Sequence, residues 1–184
     1  MIVTEPKPYE IVYADFAWPR TPFGTAKTPY NTMTWEEIDA FDLRPWLAKD
    51  AVVFLWMTGP THLRESVAVE KWRQRCGLHE AGMAYIWIKT TKAGVPMGAT
   101  GPRPRLVKQL GEYVLALTTK KRGRALPLLT ESQCQYVFAP RSGHSRKPPI
   151  VRDNIVELLG DRPRVELFGR EQVPGWDVLG DEVE

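Results

Sequence analysis

Cysteine and histidine are scarce in this chain of 184 residues, which contains two cysteines and three histidines. Cys76 and Cys134 lie far apart in the sequence, and the cysteines and histidines form no cluster with enough ligands for a zinc site. We therefore predict two buried thiols in a reducing compartment and no disulfide framework. The same scarcity argues against zinc-dependent chemistry, and we expect no metal.

Long apolar segments are missing as well. No run approaches the roughly 18 apolar residues that cross a membrane, and the opening Met-Ile-Val-Thr-Glu-Pro contains no basic region followed by an apolar stretch. These absences predict a cytoplasmic protein without a membrane anchor. Internal repeats and low-complexity linkers are also absent, so we expect residues 1–184 to form a single domain.

The net charge is only +3, but it is unevenly distributed. Residues 101–150 contain ten basic and two acidic side chains, whereas residues 151–184 contain four basic and nine acidic ones. A locally basic surface favours a polyanionic partner such as nucleic acid. Solvated charged loops without a partner are the alternative, which the composition leaves open.

Short apolar strands alternate with amphipathic helices, which predicts an α/β domain with a largely parallel sheet. The predicted strands are 9–14, 51–57, 84–89, 112–117, 134–138 and 164–168. The predicted helices run from a cap at Thr34 to about Phe41, from 60 to about 75, and from Pro149 to Gly160. Two basic loops, 90–110 and 118–130, separate these elements.

The sequence predicts an N-terminal cap for the first helix and a buried face for the second. Thr34 and Glu37 have the spacing of a capping box, in which each side chain accepts a hydrogen bond from the other residue's backbone. In the helix over 60–75, Leu63, Val67 and Trp72 can share one apolar face. We expect that face to point into the core.

A carboxylate and an aromatic side chain leave the first strand together, at Asp15 and Trp18. In an open α/β sheet, ligands bind at the carboxyl ends of the strands. Asp15 can accept a hydrogen bond from an amino group, and Trp18 offers a flat face to a planar ring. The pair suggests chemistry on a nucleobase amine, although a turn-capping Asp and a core Trp are the commoner explanation of so short a pattern.

The helix that begins at Pro149 follows Lys147, and a helix N-terminus beside a cation favours an anion. Glu166 could accept hydrogen bonds from ribose hydroxyls, and Gly169 would let a ligand approach the backbone. The structural alternatives are a solvated Lys147 and a Glu166 on an edge strand paired with an arginine. Neither a G-x-G-x-x-G motif nor a Walker lysine motif is present, which argues against a dinucleotide or ATP site. A nucleoside ligand with a carboxylate in place of phosphates would fit better.

Eight segments in order resemble one family, the adenine amino-methyltransferases that include the eukaryotic messenger-RNA adenosine methyltransferase and many bacterial and phage relatives. The segments are Ala-Asp-Phe-Ala-Trp, Thr-Pro-Tyr-Asn-Thr-Met-Thr, Val-Val-Phe-Leu-Trp-Met-Thr-Gly, Ile-Trp-Ile-Lys-Thr, Gly-Glu-Tyr-Val-Leu, His-Ser-Arg-Lys-Pro, Glu-Leu-Phe-Gly-Arg and Gly-Trp-Asp-Val-Leu-Gly. The resemblance covers nearly the whole chain, from Val12 to Glu182.

This resemblance implies a Rossmann-like methyltransferase fold that binds S-adenosylmethionine, with helices on both faces of the sheet and the catalytic loop before the cofactor segment. The family's catalytic motif is Asp-Pro-Pro-Trp, and this chain has Asp15, Phe16, Ala17 and Trp18 there. The resemblance assigns the target amine to the Asp15 carboxylate and the Phe16 carbonyl, and stacking on adenine to Trp18. With both prolines replaced, we expect a less rigid loop.

The remaining expected site residues fall into two groups. The substrate group comprises Tyr30, Lys89, Arg103 and Arg105. The cofactor group comprises Lys147, which would contact the methionine carboxylate, and Glu166, Phe168, Gly169, Arg170, Asp181 and Glu182, which would lie near the ribose or adenine.

The expected function is S-adenosylmethionine-dependent, site-specific methylation of the exocyclic amine of adenine in DNA, as in phage or bacterial enzymes. RNA adenosine methylation and a non-catalytic nucleic-acid-binding partner subunit are the alternatives. No separate target-recognition domain is visible. Recognition would then depend on the loops 90–110 and 118–130 or on a second subunit, which leaves a homodimer or a heterodimer open.

Overall fold

A seven-stranded sheet runs through the part of the chain that this computed structural model describes, namely residues 1–19, 31–58, 62–97, 111–142, 146–180 and 183. Its strands are β1 (Tyr9–Ala14), β2 (Leu47–Met57), β3 (His79–Thr90), β4 (Gly111–Thr118), β5 (Tyr136–Pro140), β6 (Arg164–Leu167) and β7 (Asp177–Leu179). The helices are α1 (Trp35–Ala40), α2 (His62–Arg75) and α3 (Pro149–Leu159), and a 3₁₀ turn spans Arg44–Trp46.

The strand order is β5-β3-β4-β2-β1-β6-β7. The sheet is mixed, because β4 runs antiparallel to β2 and β3 while the other neighbouring strands are parallel. The α/β class is therefore confirmed. β1 lies between β2 and β6, so the connections diverge at its carboxyl end, the position where open α/β sheets form a ligand crevice.

Alternating residues of the strands fill two apolar cores, one on each face of the sheet. Val12 of β1 and Trp72 of α2 belong to the first core, whereas Tyr13 of β1 and Ile155 of α3 belong to the second. Since α1 and α2 cover one face and α3 the other, both faces of β1 are buried. The end of β1 is therefore held from two sides.

The local signals at α1 are confirmed. The Glu37 N–H donates to Thr34 Oγ1 at 3.1 Å, and the Thr34 N–H donates to Glu37 Oε2 at 2.7 Å. Strands β2 and β3 begin earlier than predicted, β5 is shifted by two residues, and β7 was not predicted. The early part of β2 contains Lys49 and Asp50 and that of β3 contains His79 and Glu80, which interrupt the apolar pattern.

The predicted inward face of α2 is wrong in two of its three residues. Leu63 and Val67 are 81% and 59% exposed, and only Trp72 is buried. The buried face instead includes Glu65, whose carboxylate accepts hydrogen bonds from the Thr58 backbone N–H at 2.7 Å and hydroxyl at 2.5 Å. Both carboxylate oxygens are thus hydrogen-bonded, which offsets the cost of burying a charged group.

Cysteine burial is confirmed for Cys76 but wrong for Cys134, which is exposed just before β5. Among the described residues, no group of three or more histidine, cysteine, aspartate or glutamate side chains is placed to hold a metal ion. Within the same residues, no helix has the length and apolarity that crossing a membrane requires.

Candidate active site

Asp15 follows β1 directly. It therefore lies at the carboxyl end of this central strand, where the connections to β2 and β6 diverge; we call this end of the sheet the active edge. Its backbone N–H donates to the Leu167 carbonyl at 3.4 Å, which joins the end of β1 to the end of β6. About a quarter of the Asp15 side chain is exposed, so the carboxylate is partly open to a ligand. The segment predicted to be catalytic and the segment predicted to bind cofactor are therefore adjacent.

Four charged side chains form a row of alternating sign at this edge, and we refer to Asp15, Lys147, Glu112 and Lys89 as the charge row. The Lys147 ammonium lies 3.0 Å from Asp15 Oδ2 and 2.8 Å from Glu112 Oε2. Glu112 also pairs with Lys89. Because β4 runs antiparallel to β2, its beginning, where Glu112 lies, is at the same edge as Asp15.

The charge row shifts the proton affinities of its members. Burial raises the pKa of Asp15, and the neighbouring Lys147 opposes that rise. Burial acts in the same direction on Glu112, but Lys147 and Lys89 outweigh it and lower the pKa of Glu112 to about 2. The two carboxylates likewise outweigh the burial of Lys147 and raise its pKa. Lys147 and Glu112 are therefore ionised at neutral pH.

Phe16 is buried, at 2% exposure, although it stands where the resembled family has proline. Its ring packs against the rings of Trp18, Phe41, Trp72 and Phe168. Its carbonyl accepts a hydrogen bond from the Trp18 N–H at 2.8 Å. The loop thus has a packed ring and a local hydrogen bond that constrain it without either proline.

Two further contacts hold the rest of the predicted catalytic loop. The Ala17 carbonyl accepts a hydrogen bond from the Met33 N–H at 2.7 Å. The Trp18 indole donates through Nε1 to the Trp56 carbonyl at 3.2 Å, and its ring is half-buried beside Trp35. The indole is therefore fixed at one edge and partly accessible next to Asp15.

The predicted cofactor segment turns sharply after β6. Phe168 has a φ of 62°, in the left-handed region that non-glycine residues rarely adopt. At Gly169, a Cβ would lie 2.7 Å from Val178 Cγ1, and at Gly180 a Cβ would lie 1.9 Å from the Gly169 carbonyl oxygen. Packing within the protein therefore requires glycine at both positions.

Glu166 is buried at the end of β6 and pairs with Arg152 of α3, with 2.6 Å between Nη1 and Oε2. The same guanidinium reaches Glu171, with 2.6 Å between Nη2 and Oε1. Burial raises the pKa of Glu166, and Arg152 opposes that rise. The hydrogen bond from Arg152 lowers the pKa of Glu171. Arg152 thus ties α3 to both sides of the Phe168–Gly169 turn.

A protein-family model described as MT-A70 matches residues 9–182. The chain belongs to the MT-A70 family. This MT-A70 chain is 26% identical over 203 residues to the type II methyltransferase M.MunI of Mycoplasma sp, with 96% of the chain and 78% of that protein covered. It is also 26% identical over 182 residues to the human N(6)-adenosine-methyltransferase catalytic subunit METTL3, with 96% of the chain and 28% of that protein covered.

A fungal relative gives a similar result. The MT-A70 chain is 26% identical over 188 residues to the N6-methyladenosine RNA methyltransferase MTA1 of Pyricularia oryzae, with 95% of the chain and 47% of that protein covered. The chain therefore spans about a quarter of METTL3 and about half of MTA1.

Several predicted site residues of the MT-A70 chain come together, and others lie outside the described residues. Asp15, Lys147 and Lys89 meet in the charge row, where the Lys89 ammonium also lies 4.9 Å from the centre of the Trp87 ring. Tyr30, Arg103, Arg105, Asp181 and Glu182 lie outside the described residues. Arg170 is half-buried and lies near enough to lower the pKa of Asp15 slightly.

Sequence reasoning missed Glu112 and Arg152. Glu112 is one of only two acids between residues 101 and 150, and it opens a strand. Arg152 lies between the buried Val151 and Ile155 of α3, where a charged side chain is unexpected. These two anomalies were the available signals, because a buried charged residue needs a partner.

The second basic loop of the MT-A70 chain lies far from Asp15. Thr118 pairs with Val52 in the middle of β2, and the Thr119 N–H donates to the Ala51 carbonyl at 3.1 Å, whereas Ala14 pairs with Leu55, nearer the carboxyl end of β2. The loop 118–130 therefore extends from the opposite edge of the sheet. There Lys120 lies 3.3 Å from Asp50, and Arg124 lies 2.9 Å from Glu131.

Proposed function

We propose that this chain transfers the methyl group of S-adenosylmethionine to the exocyclic amine of adenine in DNA. The observation that carries the proposal is the 3.0 Å contact between Asp15 and Lys147, which joins an amine acceptor to a cation at the carboxyl ends of β1 and β6. The half-buried Trp18 beside them offers an aromatic face for a planar base.

The side chains at this edge fit the chemistry of S-adenosylmethionine. Lys147 would hold the carboxylate of the cofactor, and Glu166, with one oxygen on Arg152, has a second oxygen for ribose hydroxyls. The ring of Phe168, the Gly169 backbone and Arg170 would line the ribose or adenine side. When bound, the cofactor supplies an electrophilic methyl group.

Asp15 and Phe16 supply the acceptors that the amine requires. The lone pair of an exocyclic adenine nitrogen is delocalised into the ring, so the nitrogen is a poor nucleophile. Asp15 Oδ2 contacts Lys147, which leaves Oδ1, and the Phe16 carbonyl has a second lone pair beyond its bond to the Trp18 N–H. Two acceptors that hold both amine hydrogens would orient the lone pair toward the methyl group, so that catalysis rests on orientation and electrostatics.

A base in a duplex must first leave the stack, which costs about a few kcal/mol. Stacking on Trp18 and basic contacts to phosphates would offset this cost. Arg146 lies immediately before Lys147 and is about half exposed, so it is placed for such a contact at the active edge. Affinity for the oligonucleotide should therefore fall steeply with added salt.

The share of each relative that the chain covers favours DNA over RNA as the substrate. The chain covers 78% of the type II methyltransferase, but at most 47% of METTL3 and MTA1, whose names specify adenosine or RNA. RNA adenosine methylation is the second candidate, because the names of METTL3 and MTA1 describe adenosine or RNA methyltransferases. A non-catalytic partner subunit is the third, because Phe16 and Ala17 depart from the family motif.

The test is transfer of labelled methyl groups from S-adenosylmethionine to matched DNA and RNA oligonucleotides, followed by digestion to nucleosides. We expect labelled N6-methyladenine deoxynucleoside, and none with Asp15→Ala. Asp50→Ala is the matched control, because that carboxylate lies at the opposite edge. Transfer to RNA alone would refute the DNA assignment, and cofactor binding without transfer to either would support the partner-subunit alternative.

A further inference from the structure

The phenyl ring of Phe16 lies between the two loops of the proposed active site. Its centre is 5.3 Å from that of Trp18, in the catalytic loop, and 5.1 Å from that of Phe168, in the cofactor loop. Trp18 and Phe168 are each only half-buried, whereas Phe16 is nearly inaccessible to solvent. A displacement of either half-buried ring would therefore change its packing against Phe16.

Phe16 itself has little freedom to move. Its ring makes edge contacts with Phe41 and Trp72, with 6.1 Å and 5.2 Å between centres. Trp72 is in turn fixed, because its Nε1 donates to the Phe41 carbonyl at 2.8 Å. Since packed aromatic cores resist continuous deformation, the ring transmits a displacement from one loop to the other.

The cofactor loop depends on this packing. The left-handed backbone of Phe168 is unfavourable for a residue with a side chain, and such conformations persist where the surroundings hold them. The Phe168 ring contacts Phe16 and Phe41, each with 5.1 Å between centres. The backbone hydrogen bond from Asp15 to the Leu167 carbonyl is long, at 3.4 Å, and the contact between the Phe16 and Phe168 rings is a second connection between the two loops.

We propose that Phe16 is a positioning residue that couples the two halves of the site, so that occupancy of the cofactor loop raises the affinity of the catalytic loop for adenine, and the reverse. The proposal rests on the proposed function. It depends on the phenyl ring, since a proline at position 16 would stiffen its own peptide but present no ring to Phe168. Reciprocity follows because a coupling free energy is shared by both ligands.

The experiment measures the dissociation constant of S-adenosylhomocysteine by calorimetry, with and without a saturating single-stranded oligodeoxyadenylate. We expect the oligonucleotide to tighten binding about fivefold or more in the wild-type protein, within the usual range of coupling between sites. In Phe16→Leu and in Phe168→Leu, the ratio of the dissociation constants without and with the oligonucleotide, which we call the coupling factor, should be close to one. The double variant should lose no more than either single variant, because both act through one contact.

Phe54→Leu is the matched control. Phe54 is also a phenylalanine at 2% exposure, but it belongs to the core on the other face of the sheet, where it stacks on Tyr85. Urea unfolding should show similar losses of stability for Phe54→Leu and Phe16→Leu, while the coupling factor falls only in the latter. Phe16→Pro should also lose the coupling.

A folded Phe16→Leu protein with wild-type coupling would overturn the proposal, as would a wild-type factor of one when both ligands bind. If Phe16→Leu does not fold, Phe168→Leu decides in the same way, because Phe168 is only half-buried. A wild-type protein that binds neither S-adenosylhomocysteine nor the oligonucleotide, nor its RNA counterpart, would refute the proposed function, and with it this inference.

Discussion

The ammonium of Lys147 lies 3.0 Å from the carboxylate of Asp15, although 132 positions separate the two residues in the chain. Asp15 ends β1, and Lys147 precedes α3, which covers one face of the same strand. The contact keeps the proposed amine acceptor next to a charge that favours its ionised form. Lys147 also contacts Glu112, so it is not committed to Asp15 alone.

Asp15→Asn should lower the methyl-transfer rate about 100-fold or more, as is typical when one preorganised polar group is lost from an active site. The amide keeps an acceptor but loses the charge that polarises the amine. Affinity for S-adenosylhomocysteine, measured by calorimetry, should change little. Asp50→Asn, at the opposite edge, should transfer at the wild-type rate; a wild-type rate in Asp15→Asn would remove its assigned role.

The methyl-transfer rate should fall at low pH when Asp15 becomes protonated, and we call this part of the pH–rate profile the acid limb. The ionised carboxylate supplies the negative charge that polarises the amine, and the protonated form lacks it. Burial raises the pKa of Asp15 above the ordinary 3.8, Lys147 and Arg170 oppose the rise, and Glu112 reinforces it. Activity should therefore fall on acidification at a pH above 3.8. In Lys147→Met the limb should move to higher pH, measured at saturating cofactor. Lys120→Met is the control, and an unmoved limb in Lys147→Met would contradict the assignment.

Glu112 should contribute a component of stability that depends on pH. Its pKa falls from 4.5 to about 2 on folding, so the component is full above pH 4.5 and disappears as the pH falls toward 2. A tenfold change in proton affinity is worth about 1.4 kcal/mol, which gives at most about 3–4 kcal/mol at neutral pH. Urea unfolding measured between pH 2 and 7 should show this pH-dependent component in the wild-type protein but not in Glu112→Gln.

The control for Glu112 is Glu131→Gln, which removes an acid from the exposed ion pair with Arg124. Exposed pairs contribute about 1 kcal/mol or less. Equal effects of the two substitutions would show that the buried position of Glu112 adds nothing.

Arg152→Met should destabilise the protein by about 3 kcal/mol or more, because it leaves the buried Glu166 carboxylate without its cation. The double variant Arg152→Met/Glu166→Gln should be milder, since no buried charge remains unpaired. Arg152→Lys should be intermediate, because one ammonium lacks the planar fork that bridges Glu166 and Glu171. Thermal unfolding measures all three, and a double variant worse than Arg152→Met would contradict the pairing argument.

Gly180→Ala should lower stability and weaken S-adenosylhomocysteine binding. The added methyl group would lie 1.9 Å from the Gly169 carbonyl oxygen, and a backbone atom cannot turn aside as a side chain can. Gly94→Ala is the control: its φ of 79° is strained for alanine, but a Cβ there meets no atom within 4 Å, so it should cost only the backbone strain, about 1–2 kcal/mol. Equal losses in both variants would mean that the close approach of the two loops is unimportant.

Local signals in the sequence predicted local structure well. β1 has the predicted bounds, and the capping box of α1 forms as the spacing of Thr34 and Glu37 indicates. Both depend on residues within a few positions of each other. The family resemblance added what such signals could not, because it connected segments far apart in the chain, and family membership is confirmed.

The errors arise where tertiary contacts override the apolar pattern. Leu63 and Val67 have helical spacing, yet α2 buries Glu65 because Thr58 at the end of β2 donates two hydrogen bonds to it. Glu112 was missed for a related reason. Its place in the site depends on the antiparallel direction of β4, which no residue near Glu112 reveals.

The charge row has a consequence for how this chain can change over evolutionary time. It holds two charges of each sign, mostly removed from solvent, so the loss of an inner member, Lys147 or Glu112, leaves an outer one, Asp15 or Lys89, without its partner in the row. A lineage that abandons one of these ionic positions should also replace an adjoining one. Lys89 is therefore expected to covary with Glu112 among homologues, because no other acid pairs with Lys89 within the described residues.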